Sequence, residues 1–100
     1  MPDKKLIIEK IIQVLKKIQE EGGFEQIEIN LETNPVKDMP EFDSQLWIVA
    51  ITILAEELQI VIPNNLNIFI SENGEESPNI EEIAQRILDA LQYEGGKNGK

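Results

Sequence analysis

With neither cysteine nor histidine among its 100 residues, the chain holds few groups able to do chemistry. The serine of Phe42-Asp43-Ser44-Gln45-Leu46 stands out, because it opens an apolar run that continues to Pro63. An acidic residue followed by a serine at the start of a helix can mark where a prosthetic group is attached. The plain alternative is that Ser44 or Asp43 only caps the helix, since both residue types are preferred there in any protein. Neither makes a capping box, because Leu46 and Trp47 stand three residues on. Ser44 has no base to activate it: Ser-His catalysis, a cysteine nucleophile and imidazole- or thiolate-bound zinc are all excluded by composition. Paired carboxylates working as acid and base would need a cleft, and the pattern suggests none. The chain therefore reads as one that is acted upon, and not as an enzyme.

The elements that must position Ser44 follow from periodicity. From Lys4 to Glu21, apolar residues at 7, 8, 11, 12, 14, 15 and 18 alternate with lysines and glutamates, which is the spacing of an amphipathic helix. Pro2 and Asp3 suit its first turn and Gly22-Gly23 its end. Between Phe24 and Glu41 the pattern changes. Ile27, Ile29 and Leu31 alternate with polar residues, yet Asn34-Pro35 and Met39-Pro40 punctuate the stretch and no second strand is evident. A lone strand cannot satisfy its backbone, so the expectation is a long ordered loop anchored by Ile27, Ile29 and Val36. The second helix is expected from Ser44 to Gln59, with apolar residues around nearly its whole circumference. Such a helix is either central to the core or offers an apolar face to something else. Leu66 to Ile70 reads as one or two helical turns, Ser71 to Pro78 as a polar turn, and Asn79 to Tyr93 as the last helix. Ile80, Ile83, Ala84, Ile87, Leu88 and Leu91 share one face of that helix, and Ser77 or Asn79 is placed to cap it. The chain is thus predicted to be one all-α domain over residues 1–93, with a disordered tail at 94–100. The second and last helices are expected to supply the core.

The stretch from Asp43-Ser44 to Leu58-Gln59-Ile60-Val61-Ile62-Pro63, with Asn79-Ile80-Glu81-Glu82-Ile83-Ala84 further on, resembles the acyl carrier proteins, which bear phosphopantetheine. The resemblance covers residues 4 to 93 in element order, and its specific part lies within residues 42 to 63. It implies a four-helix carrier-protein bundle with a long first loop and a short third helix. It further implies a covalent 4′-phosphopantetheine on Ser44, with Asp43 recognised by the transferase that attaches it. The arm would carry acyl or aminoacyl groups as thioesters for fatty-acid, polyketide or nonribosomal-peptide type enzymes working in trans. A phosphodiester on Ser44 would sit at the positive end of the helix dipole, where an anion is favoured. Around the serine itself the chain departs from the family pattern at two positions: Gln45 stands where a leucine usually follows the serine, and Glu41 where a glycine commonly lies.

Partners follow from the surface of the second helix. Leu46, Trp47 and Val49 occupy places that are often polar or acidic in the family, and Glu56 and Glu57 are the only carboxylates of that helix. All five are candidate partner contacts, toward a transferase and acyl-processing enzymes with basic or apolar docking surfaces. Trp47 reads first as a core aromatic, since large aromatics usually bury, and a partner contact is the sharper alternative. The alternative to a loaded carrier is an unmodified carrier fold that serves as an interaction module. The formal charge of −10 argues against nucleic acid and favours basic protein surfaces. The longest apolar run, Leu46 to Ala55, is too short to span a bilayer, and no signal-peptide core precedes it. A cytoplasmic monomer without a resident metal is the expectation. Glu72, Glu75 and Glu76 read as a solvated turn, because their spacing is not that of a calcium loop.

Overall fold

The computed structural model describes residues 3–62, 67–70 and 77–98, with side chains through Leu91. Among the described residues all regular structure is helical: α1 (Lys4–Gly22), α2 (Pro35–Asp38), α3 (Ser44–Leu58) and α4 (Ile80–Asn98). The ends of α1 follow from its sequence. Asp3 accepts a hydrogen bond from the Leu6 N–H at 2.8 Å, and Gly23 closes the helix at φ 70°, a left-handed position that glycine adopts without strain. The buried stripe Ile7, Ile11, Val14, Leu15 and Ile18 matches the predicted face.

That stripe is the hub of the molecule. Helices α3 and α4 each pack on α1 rather than broadly on each other. This corrects the expectation that α3 and α4 supply the core between them. Only Ala50, Leu54 and Leu58 of α3 are fully buried, so much of this apolar helix stays at or near the surface. From α4, Ile80, Ile83, Ala84, Ile87 and Leu91 of the predicted face are buried, while Leu88 is half-buried at its edge.

The first loop is ordered without a strand, and its hydrogen bonds show how. The Gln19 side chain, 2% exposed, faces the Ile27 backbone: its Oε1 accepts from the Ile27 N–H at 3.1 Å, and its Nε2 donates to the Ile27 carbonyl at 3.4 Å. One buried amide thus replaces the missing partner strand. Further on, the loop supplies acceptors to α4. The Ile80 N–H donates to the Thr33 carbonyl at 3.0 Å and the Glu81 N–H to the Leu31 carbonyl at 3.3 Å. Asn79 and Glu82 complete a capping box, with both reciprocal bonds at 2.9 Å. Every N–H of the first turn of α4 is therefore satisfied. Asn34 clasps the two regions together, accepting from Ser77 Oγ at 2.7 Å and donating to the Ser77 carbonyl at 2.5 Å.

The four helices are not the four expected. Asn34 caps, and Pro35 begins, a single turn of helix that the sequence reading assigns to loop. The expected third helix at Leu66 to Ile70 is a turn in its described part, 67–70, where Ile68 and Phe69 are fully buried. The helical backbone of α4 runs on through 94–98, where the composition predicts a tail. Pro2, the Pro63 stop, Leu66, most of the polar turn with Glu72, Glu75 and Glu76, and the last two residues lie outside the described residues.

Candidate functional site

The entry to α3 is built from a turn, a cap and an aromatic contact. The Phe42 N–H reaches the Met39 carbonyl at 3.4 Å, closing a turn with Pro40 and Glu41 at its centre. Glu41 has φ 59°, the left-handed conformation that turns of this kind usually leave to glycine. The Phe42 side chain is buried and meets Phe69 edge-to-face, with ring centroids 5.2 Å apart. Its carbonyl accepts from Trp47 Nε1 at 3.0 Å, which ties the second turn of α3 back to the residue before the cap.

Asp43 is the cap. Its Oδ1 accepts from the N–H groups of Gln45 at 3.1 Å and Leu46 at 3.2 Å, and its carbonyl receives the first intrahelical bond from Trp47. Ser44 is the first residue of the helix and is exposed, with no hydrogen bond from its hydroxyl to any described residue. Two of the backbone donors that a helix start leaves open are thus taken by Asp43. The carboxylate is only half used: both cap bonds go to Oδ1, leaving Oδ2 without a partner among the described residues. A group attached through Ser44 Oγ has open surface to leave from. Its anion would meet the helix dipole and the Ser44 N–H on one side and a carboxylate on the other.

The remaining candidates divide by exposure. Leu46 and Trp47 are half-buried against the core, so each offers a partner only part of its surface. Val49 is 44% exposed. Glu56 is exposed, whereas Glu57 turns toward α1 and pairs with Lys10 at 3.2 Å. The largest apolar surface on α3 belongs to a residue not singled out from the sequence, Ile48, which is 66% exposed. The signal was present in Thr52. It is the one polar residue within the run, it lies four residues from both Ile48 and Glu56, and its hydroxyl donates to the Ile48 carbonyl at 2.8 Å. Ile48, Thr52 and Glu56 therefore mark the outward stripe, opposite Ala50, Leu54 and Leu58. Beyond the helix end Val61 is 80% exposed.

Among the described residues, no group of three or more acidic side chains is placed to hold a metal ion. None of the described helices is long and apolar enough to cross a membrane. Compared with known proteins, the chain matches no family model, no curated protein and no solved structure.

Proposed function

We propose that this chain is a carrier whose Ser44 hydroxyl receives 4′-phosphopantetheine from coenzyme A. The observation that carries the reading is the exposed Ser44 at the first position of α3, its hydroxyl unbonded to any described residue, next to a carboxylate whose Oδ2 has no partner among the described residues. Loading would form a bond from Ser44 Oγ to phosphorus, break the pyrophosphate link of coenzyme A and release adenosine bisphosphate. The hydroxyl proton would go to a base on the transferase, because no described residue of this chain accepts it. Asp43 would face the cationic side of the transferase site through Oδ2 while Oδ1 keeps the helix start in shape. The arm supplies a thiol that holds acyl or aminoacyl groups as thioesters, which suits a chain without cysteine. Around the site, the apolar stripe at Ile48 and Val49, with Glu56 beyond it, suits partners whose docking surface is apolar at its centre and basic at its rim.

Incubation with coenzyme A and a broad-specificity phosphopantetheinyl transferase should add the mass of one phosphopantetheinyl group to the intact protein. Absence of that shift, or a shift that persists in Ser44→Ala, would overturn the reading. A second reading is favoured by the same exposed stripe: an unmodified module that binds partners through α3. Protein purified from its native host separates the two, since a wholly unmodified population supports the module.

A further inference from the structure

Arg86, the chain's only arginine, lies far from Ser44 in sequence but is connected to it through the fold. From the second turn of α4, its Nη1 donates to the Asn67 carbonyl at 3.1 Å and also to the Ile70 carbonyl. The two acceptors bracket Ile68 and Phe69, both fully buried. One guanidinium nitrogen therefore holds the ends of a four-residue segment whose middle is inserted into the core. Phe69 presses edge-on against Phe42 at 5.2 Å, and the Phe42 carbonyl receives the Trp47 indole N–H. Asp43 and Ser44 follow directly. Because α3 and α4 do not pack broadly on each other, the 67–70 segment is a bridge from α4 to the entry of α3, beside the first loop that accepts from the start of α4 and runs on through α2 to Phe42.

We infer that Arg86 is a positioning residue for the α3 entry, setting the pose of Asp43 and Ser44 through the 67–70 segment and the Phe69–Phe42 contact. The inference rests on Ser44 being the attachment point only for its consequence, slower loading; the mechanical link is measurable without any cofactor. Two buried aromatics in edge contact transmit a displacement because a packed core accommodates little slack. A charged donor shared by two carbonyls adds a restraint on the ends of the segment to the burial of Ile68 and Phe69 in its middle.

The test uses the full chain with three substitutions. R86M keeps the apolar stem and removes the donors, R86K keeps a donor, and F69L cuts the bridge at its other end. Hydrogen exchange is read at the Gln45 and Leu46 amides and the Trp47 indole N–H, against the Val14 and Leu15 amides of α1. The expected result is that R86M speeds exchange at the α3 entry about tenfold relative to α1, the effect of losing one charge-assisted bond. R86K should restore most of the protection. F69L should match R86M, and the double variant should do no more than either single one, as groups acting in series require. Exchange that rises only at 67–70 and within α4, or two effects that add, would overturn the inference. Where R86M fails to fold, R86K and F69L make the same comparison. Loading by the transferase is measured in parallel and should slow with R86M. A wild-type chain that never loads would end the carrier reading, while the exchange at Trp47 still decides the role of Arg86.

Discussion

In the proposed carrier Asp43 has two jobs on two oxygens, and substitution can separate them. Asp43→Ala removes both cap bonds, to Gln45 and Leu46, and the negative charge at the helix start. Loss of an N-cap costs about 1–2 kcal/mol, and the bond from Trp47 Nε1 to Phe42 keeps the second turn in place, which limits the loss to that range. At roughly 4–8 °C per kcal/mol for a domain of this size, the melting temperature should fall by about 4–16 °C. Asp43→Asn keeps an oxygen acceptor and loses only the charge, worth about 0.3–1 kcal/mol at an exposed helix end. Ser44→Ala touches neither the cap nor the core and should stay within about 0.5 kcal/mol of wild type. Urea unfolding followed by circular dichroism and by the fluorescence of Trp47, the only tryptophan, measures all three. The same proteins offered to a transferase should show D43N slowed in loading far beyond its small loss of stability, and S44A not loaded at all. An Ala variant within about 0.3 kcal/mol of wild type, or an Asn variant as unstable as Ala, would refute the assignment of Asp43 as the cap. A D43N variant that loads at the wild-type rate would refute the role given to Oδ2.

Gln19→Ala should cost about 2–3 kcal/mol in urea unfolding, since it leaves both the N–H and the carbonyl of Ile27 unpaired, while Ala at exposed Gln13 should cost under about 0.5. Ile48→Asp should leave the unfolding midpoint within error, because the side chain is 66% exposed, and should weaken partner binding or loading several-fold in a competition assay. Glu41→Gly should be neutral or stabilising by up to about 1 kcal/mol, as relief of a left-handed residue outweighs the greater freedom of glycine when unfolded. Gln45→Leu should change stability by less than about 0.5 kcal/mol yet raise the loading rate, which kinetic mass spectrometry can follow.

The parts of this fold that a 3.6-residue period can encode were legible: α1, α4 and their buried faces. The parts held by single long-range bonds were not. Nothing about Gln19 in a helical stretch announces that its amide will replace a strand for Ile27. Asn34-Pro35 in the sequence looks like punctuation, although a cap residue followed by proline is also how a helix begins. In α3 the apolar residues surround the axis, so the buried side could be found only from Thr52 and Glu56. The hub role of α1 was hidden for the same reason: a helix apolar on every side looks more central than one with a clean stripe, yet only Ala50, Leu54 and Leu58 of α3 are fully buried. At the site, the sequence located the helix start and left open which residue caps it. Arg86 gave one clue, as the only arginine in the chain, but its two acceptors lie in a segment whose course only the fold defines.

The two departures from the carrier pattern differ in physical kind. Glu41 stands where glycine is common, and in the structure it adopts the glycine-like conformation, at φ 59°. The turn into Phe42 is therefore kept, at a cost of about 1–2 kcal/mol of backbone strain, and Asp43 still reaches its two amides. A substitution that the backbone absorbs leaves the geometry around Asp43 and Ser44 unchanged. Gln45 is different: its amide donates to the cap like any residue at that position, so the fold does not register the missing leucine, and its side chain is exposed beside Ser44. Its effect falls on whatever docks there. If Ser44 is loaded, discrimination among transferases should therefore follow Gln45 and the Ile48 stripe rather than Glu41, because only the former alter the surface that a second protein meets.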